Sequence, residues 1–270
     1  MKLIRLAAVV GFAVACAAKA GDLHPIIEVQ NGYLFGAVVD GKWIKGDEAA
    51  KSMTSELTYR VYGMTQPFGE AKGGKPNHED LPCEDTLSVS LSAKPANATI
   101  AVAGTWNALP RKVQVLDSTQ KVYVDAVRDF LKTKGIEQPK VKIDNIVRVD
   151  LEGDGEEEVL ISATNYFSND KSVPMRSIAG SYSCVLLRRV VAGKVETQLV
   201  EGEFYPKDYV RKEDSFDAPN AYNVIAVLDL DGDGKMEIVV GSRYYEGEAT
   251  TIYRCDSKKC EQLLSVGCGA

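Results

Sequence analysis

The stretch Asp229-Leu230-Asp231-Gly232-Asp233-Gly234-Lys235-Met236-Glu237, followed by Ile238-Val239-Val240, decides how this chain is read. Carboxylates stand at positions 1, 3, 5 and 9, and glycines at 4 and 6. Alternate side chains of a tight turn point inward, so three acids converge from five residues. The glycines supply the left-handed backbone such a turn requires. Position 7, Lys235, offers its backbone carbonyl, and Glu237 returns a last carboxylate. Oxygen donors without His or Cys favour Ca²⁺ over zinc or copper. The formula recurs 79 residues earlier as Asp150-Leu151-Glu152-Gly153-Asp154-Gly155-Glu156-Glu157-Glu158. There the side-chain candidates are Asp150, Glu152, Asp154 and Glu158, with Glu156 giving the carbonyl. We call 150–158 turn 1 and 229–237 turn 2.

The flanks exclude an EF-hand, which needs a bidentate Glu at position 12 and a helix on each side. Position 12 is Val240 in one copy and Ile161 in the other. Val224 to Leu228 lead into turn 2, and Ile238 to Val240 lead out; Ile146, Val147 and Val149 precede turn 1, and Val159 to Ile161 follow it. Short β-branched runs around a Gly-rich turn read as strands. The unit is strand, acidic turn, strand. A dockerin-like reading fails because no helix follows.

Asp229 to Ser242 resembles the calcium turns of FG-GAP and VCBS repeats, found in integrin-like β-propellers and many secreted bacterial proteins. The resemblance implies that Asp229, Asp231, Asp233 and Glu237 are side-chain ligands of Ca²⁺, with a carbonyl from Lys235. In the first copy it implies Asp150, Glu152, Asp154 and Glu158, with a carbonyl from Glu156. The first copy carries Glu152 where the family prefers Asp or Asn.

Self-similarity continues downstream, and each copy reads as four short strands at 137–270. Such units stack to bury their apolar faces, yet two copies are too few for a closed propeller of about 4–8 blades. The expected fold is mainly β with one packed helix, propeller-like or a smaller β assembly. Residues 21–116 read as β-rich, with a hairpin signal at Asp40-Gly41 and strands at 57–62, 86–91 and 99–102. Residues 66–85 read as a long Gly/Pro/charged loop containing His78 and Cys83. A metal or catalytic site there competes with a plain surface loop. Residues 117–136 spell a linking helix: Asp117 at the cap, an apolar stripe of Val124, Val127, Phe130 and Leu131, and Gly135 at the end. Trp43 and Trp106 are read as core rather than as sugar platforms.

Residues 1–20 resemble a secretion signal, with a basic head at Met1 to Arg5, an apolar stretch at Leu6 to Ala18 and an Ala18-Lys19-Ala20 cleavage site. Lipid attachment at Cys16 is the alternative, and only then is a membrane partner expected. Loss of the leader removes Lys2, Arg5 and Lys19, taking the net charge from −6 to −9. An acidic chain does not condense on phosphates, so nucleic acid is excluded as a partner. Export allows disulfides, and Cys255 and Cys260 bracket a hairpin loop, so they are expected to pair.

The sequence contains no Gly-x-Ser-x-Gly elbow, His-Glu-x-x-His, P-loop or dinucleotide fingerprint, and two histidines leave little room for His-based catalysis. The expectation is an exported, noncatalytic protein of the periplasm, cell envelope or extracellular space. Two structural Ca²⁺ repeats would stabilise it, and its partner would be a protein or glycan. The competing expectation is a secreted carbohydrate-active hydrolase using calcium structurally.

Overall fold

The computed structural model describes residues 22–166, 172–208 and 218–269. The expected signal segment and Cys16 lie outside the described residues. Within them no helix is long and apolar enough to cross a membrane. The architecture is mainly β: an assembly of antiparallel sheets without a closed barrel.

The chain runs β1 (Leu23–Glu28), β2 (Leu34–Val39), β3 (Lys42–Lys45), α1 (Gly46–Ser52), β4 (Leu57–Tyr62), β5 (Pro67–Gly73), β6 (Asn77–His78), β7 (Leu87–Ser88) and β8 (Ile100–Val102). It continues through β9 (Gln114–Val115), α2 (Lys121–Thr133), β10 (Ile143–Val149), β11 (Glu158–Thr164), β12 (Ser181–Val191) and β13 (Lys194–Tyr205). β14 (Ala221–Leu228), β15 (Glu237–Tyr244), β16 (Gly247–Cys255) and β17 (Cys260–Gly269) complete it. Three larger sheets result, ordered β3-β2-β1-β8-β4-β5, β13-β12-β11-β10-β9 and β14-β15-β16-β17, with a small β6-β7 pair.

The β14–β17 sheet is the middle layer. Val224, Val227, Ile238, Val240 and Tyr253 face Val147, Leu160 and Leu187 of the β9–β13 sheet. Ala226, Leu228, Val239 and Ile252 face Ile26, Phe35, Ile100 and Val102 of the N-terminal sheet. Successive side chains point to opposite faces, so a strand covered on both sides reads as a continuous apolar run. Ile238-Val239-Val240 is such a run, and all three are buried. Helix α2 covers the outer face of the β9–β13 sheet through Val127 and Leu131, against Ile146, Ile161 and Leu186.

Two local expectations are corrected. Helix α2 begins at Lys121, and its N-cap Gln120 makes no side-chain cap bond. The Asp117 carboxylate instead accepts the Thr119 N–H and hydroxyl, both at 2.8 Å, closing a separate turn. The supposed long loop contains β5, paired antiparallel with β4 at the sheet margin. Pro67 and the glycines are tolerated there because an edge strand leaves one row of backbone groups unpaired.

The Asp40-Gly41 hairpin forms, with φ of 49° and 73° at its two turn residues. Cys255 and Cys260 are bridged as expected. A second disulfide, Cys83–Cys268, ties the N-terminal region to the last strand, and Cys184 is a free, buried thiol.

Candidate metal centre

Turn 2 hangs between β14 and β15. Gly232 and Gly234 adopt φ of 76° and 86°, bending the backbone so that its N–H groups face inward. Asp229, 4% exposed, accepts Gly232 N–H at 2.7 Å through Oδ1 and Gly234 N–H at 3.1 Å through Oδ2. The buried Glu237 carboxylate accepts Leu230 N–H at 2.9 Å. One carboxylate oxygen each from Asp229, Asp231 and Glu237 falls within 4.8 Å of the others; among the described residues this is the one such group of acids. Ca²⁺ takes oxygen ligands at about 2.3–2.6 Å, so three oxygens this close fit one hard ion. Asp233 is exposed, its Oδ1 accepts Lys235 N–H at 2.7 Å, and its Oδ2 lies 4.0 Å from Arg254 Nη2.

Burial works against so much negative charge. It pushes the Glu237 carboxyl up to about 8, and the Asp231 carboxylate adds to this, while Leu230 N–H and Arg254 pull the other way. Asp229 is also raised, chiefly by burial, against the two glycine N–H groups that favour its ionised form. A divalent ion would relieve both groups.

Turn 1 follows the same backbone plan. Gly153 and Gly155 have φ of 78° and 89°. Asp150 accepts Gly153 N–H at 2.6 Å, Asp154 N–H at 3.2 Å and Gly155 N–H at 3.0 Å. Asp154 accepts Glu156 N–H, and the buried Glu158 accepts Leu151 N–H at 2.9 Å. The longer Glu152 side chain points to Arg189 Nη1, 2.9 Å away. Desolvation raises the Glu158 carboxyl, with Glu152 reinforcing the rise. The carboxylates of turn 1 do not gather into a three-acid group as those of turn 2 do.

Four residues support the turns in ways not read from the sequence, which gave Trp106 only a core role. Trp106 Nε1 donates to the Asp229 carbonyl at 2.8 Å, clamping the start of turn 2. Arg111 does the same for turn 1, donating to the carbonyls of Asp150 at 2.5 Å and Leu151 at 2.9 Å. Arg254 reaches into turn 2, with Nη2 at 2.5 Å from Asp231 and 2.6 Å from Glu237. Arg189 does so in turn 1. The signal was strand register: Ile238 opposes Tyr253 and Val159 opposes Arg188. One step on, Arg254 lies opposite Glu237 and Arg189 opposite Glu158.

A cleft of about 770 Å³ opens elsewhere, lined by residues including Asn31, Tyr33, Asp144, Tyr222, Asn223 and Glu248. The nearby Glu28 carboxylate accepts the N–H groups of Gln30 and Asn31, both at 2.8 Å. Glu248 accepts from Asn31 Nδ2 at 2.7 Å. Burial raises the Asp144 carboxyl. The segment from His78 to Asp85 builds no comparable site: Cys83 is disulfide-bonded, and His78 Nδ1 lies 2.7 Å from the Glu84 carbonyl.

Comparison with known families finds one match, on turn 2 and its sheet. Residues 221–253 match the FG-GAP repeat. The FG-GAP match spans β14, turn 2, β15 and most of β16, so it includes Arg254's strand up to the residue before it. Turn 1 lies outside the FG-GAP match. No curated protein and no solved structure is significantly similar to the chain.

Proposed function

We propose that this chain is an exported, noncatalytic binding module whose stacked sheets are stabilised by Ca²⁺ at turn 2. The observation that carries the reading is the convergence of Asp229, Asp231 and Glu237 within 4.8 Å on a turn of FG-GAP type. Asp229 and Glu237 are held by backbone N–H groups, so they are positioned before an ion arrives. Asp233 and the Lys235 carbonyl would complete the shell from the exposed side. Bound there, the ion would offset carboxylate repulsion and pin the ends of β14 and β15 together.

Export is supported by two disulfides, which persist in oxidising compartments, and by the FG-GAP repeat, a unit common in extracellular and envelope proteins. The partner is a protein or glycan. The cleft is its candidate seat: its size falls within the range of about 300–1,000 Å³ typical of ligand sites, and its amide and phenol groups suit a polyhydroxylated or peptide ligand.

Thermal melting of the full chain tests the calcium role. The midpoint should rise on adding millimolar Ca²⁺ and fall back with chelator. Equal midpoints in both conditions would overturn the reading. Extracellular sites of this kind have Kd of about 10⁻⁴–10⁻³ M, so millimolar calcium is the appropriate range.

A further inference from the structure

The two acidic turns are not left to repel themselves. The carboxylates of each receive one arginine, from the same position of the same strand of its sheet. Arg189 of β12 stands across from Glu158, and Arg254 of β16 stands across from Glu237. The duplication of the arginine along with the turn marks it as part of the unit, since a surface residue would have no reason to fall in register twice.

The two arginines differ in freedom. The Arg189 side chain is 6% exposed. It is fixed by Glu152 on one side and lies 3.5 Å from the Cys255 carbonyl of the neighbouring sheet on the other. Leaving would strand its charge in a buried setting. The Arg254 side chain is 36% exposed. Its Nη2 sits between Asp231 and Glu237, two of the three acids that fit an ion, and 4.0 Å from Asp233. A guanidinium and a divalent cation cannot both occupy that point. Arg254 also has an alternative surface to rest on, because its guanidinium carbon is 5.8 Å from the Trp43 ring centre, within the range of a cation–π contact.

We propose that each turn carries its own counter-cation, and that turn 2 is an exchange site from which the Arg254 guanidinium must withdraw for a divalent ion to enter, while turn 1 stays closed by Arg189. This rests on the calcium reading of turn 2 and adds an internal competitor to it. The turn then keeps its shape in either state, and calcium changes what Arg254 does near Trp43. Apparent ion affinity is lowered by the fraction of time the turn is open.

The test is calorimetric titration of Ca²⁺ into the full chain and into Arg254→Gln, with the emission of Trp43 followed in parallel as the difference between each chain and its Trp43→Phe counterpart, since Trp106 touches turn 2 itself. Arg254→Gln should bind Ca²⁺ about tenfold more tightly, since an occupant present nine-tenths of the time imposes that factor. Calcium should change the Trp43 emission in the native chain and change it much less in Arg254→Gln. That second readout separates physical withdrawal from simple charge repulsion, which would alter affinity but not the indole signal. Equal affinities with an unaltered emission response would overturn the competition and leave the calcium reading standing. Binding by the variant alone would support the competition and overturn calcium as the native stabiliser. Binding by neither would overturn both. Should Arg254→Gln fail to fold, Arg254→Lys keeps the charge without the fork that bridges Asp231 and Glu237. It should still bind more tightly than the native chain, and unchanged or weaker binding would again overturn the competition.

Discussion

Met236 donates its backbone N–H to the carbonyl of Leu151 at 2.9 Å, so the two acidic turns lie edge to edge. That carbonyl also accepts from Arg111. The turns therefore form one acidic rim shared by adjacent sheets, interleaved with Arg111, Arg189 and Arg254. The two turns nonetheless answer differently to substitution.

Asp231→Ala and Glu152→Ala should separate by calcium. Asp231→Ala removes one of the three converging acids, so its loss of melting temperature should appear mainly when calcium is present. Glu152→Ala leaves the buried Arg189 without its carboxylate, a defect that typically costs about 3 kcal/mol whatever the ion content. Melting both variants in calcium and in chelator checks this. A larger calcium-dependent loss from Glu152→Ala would reverse the ranking of the turns.

The glycines of the turns should not tolerate alanine equally. A Cβ at Gly232 would lie 2.9 Å from the Trp106 ring, whereas one at Gly155 would meet nothing within 4 Å. Both have left-handed backbone, which costs a non-glycine residue about 1 kcal/mol. Gly155→Ala should show that cost alone. Gly232→Ala should lose roughly 2–3 kcal/mol, because Trp106 must also move and with it the bond to Asp229. Urea denaturation of the two variants measures the difference.

The disulfides should contribute unequally. Cys83–Cys268 spans 185 residues and Cys255–Cys260 only 5. In the chain-entropy account the long loop contributes about 5 kcal/mol and the short one roughly 2 kcal/mol. Replacing Cys83 and Cys268 together by serine should therefore lower the denaturation midpoint well beyond the equivalent change at 255 and 260.

Cys184 should resist alkylation. It is fully buried, and that burial pushes its thiol up to about 12, so almost no thiolate exists near neutral pH. Iodoacetamide at pH 8 should label it only after denaturation, as mass spectrometry of the labelled chain would record.

Local structure was legible wherever one short segment dictates it. Asp40-Gly41 requires a hairpin, Cys255 and Cys260 bracket one, and the spacing of acids and glycines forces the two turns. What depends on distant segments was not legible. β5 looked like a loop because Pro67 and two glycines lower strand propensity, and only its place at a sheet edge makes them harmless. Asp117 looked like a helix cap until Thr119 claimed its carboxylate. Arg189 and Arg254 carried no motif of their own; their role comes from the pairing of one strand with the next. Trp106 and Arg111 clamp the turns from a segment with little regular structure, which periodicity does not reach.

The sheet that carries the FG-GAP match is covered on both sides along its central apolar run. An excised fragment of 221–269 would present Val224, Val240, Val239 and Ile252 to solvent on two sides at once. The repeat should therefore aggregate when expressed alone, and its removal would strip cover from both neighbours.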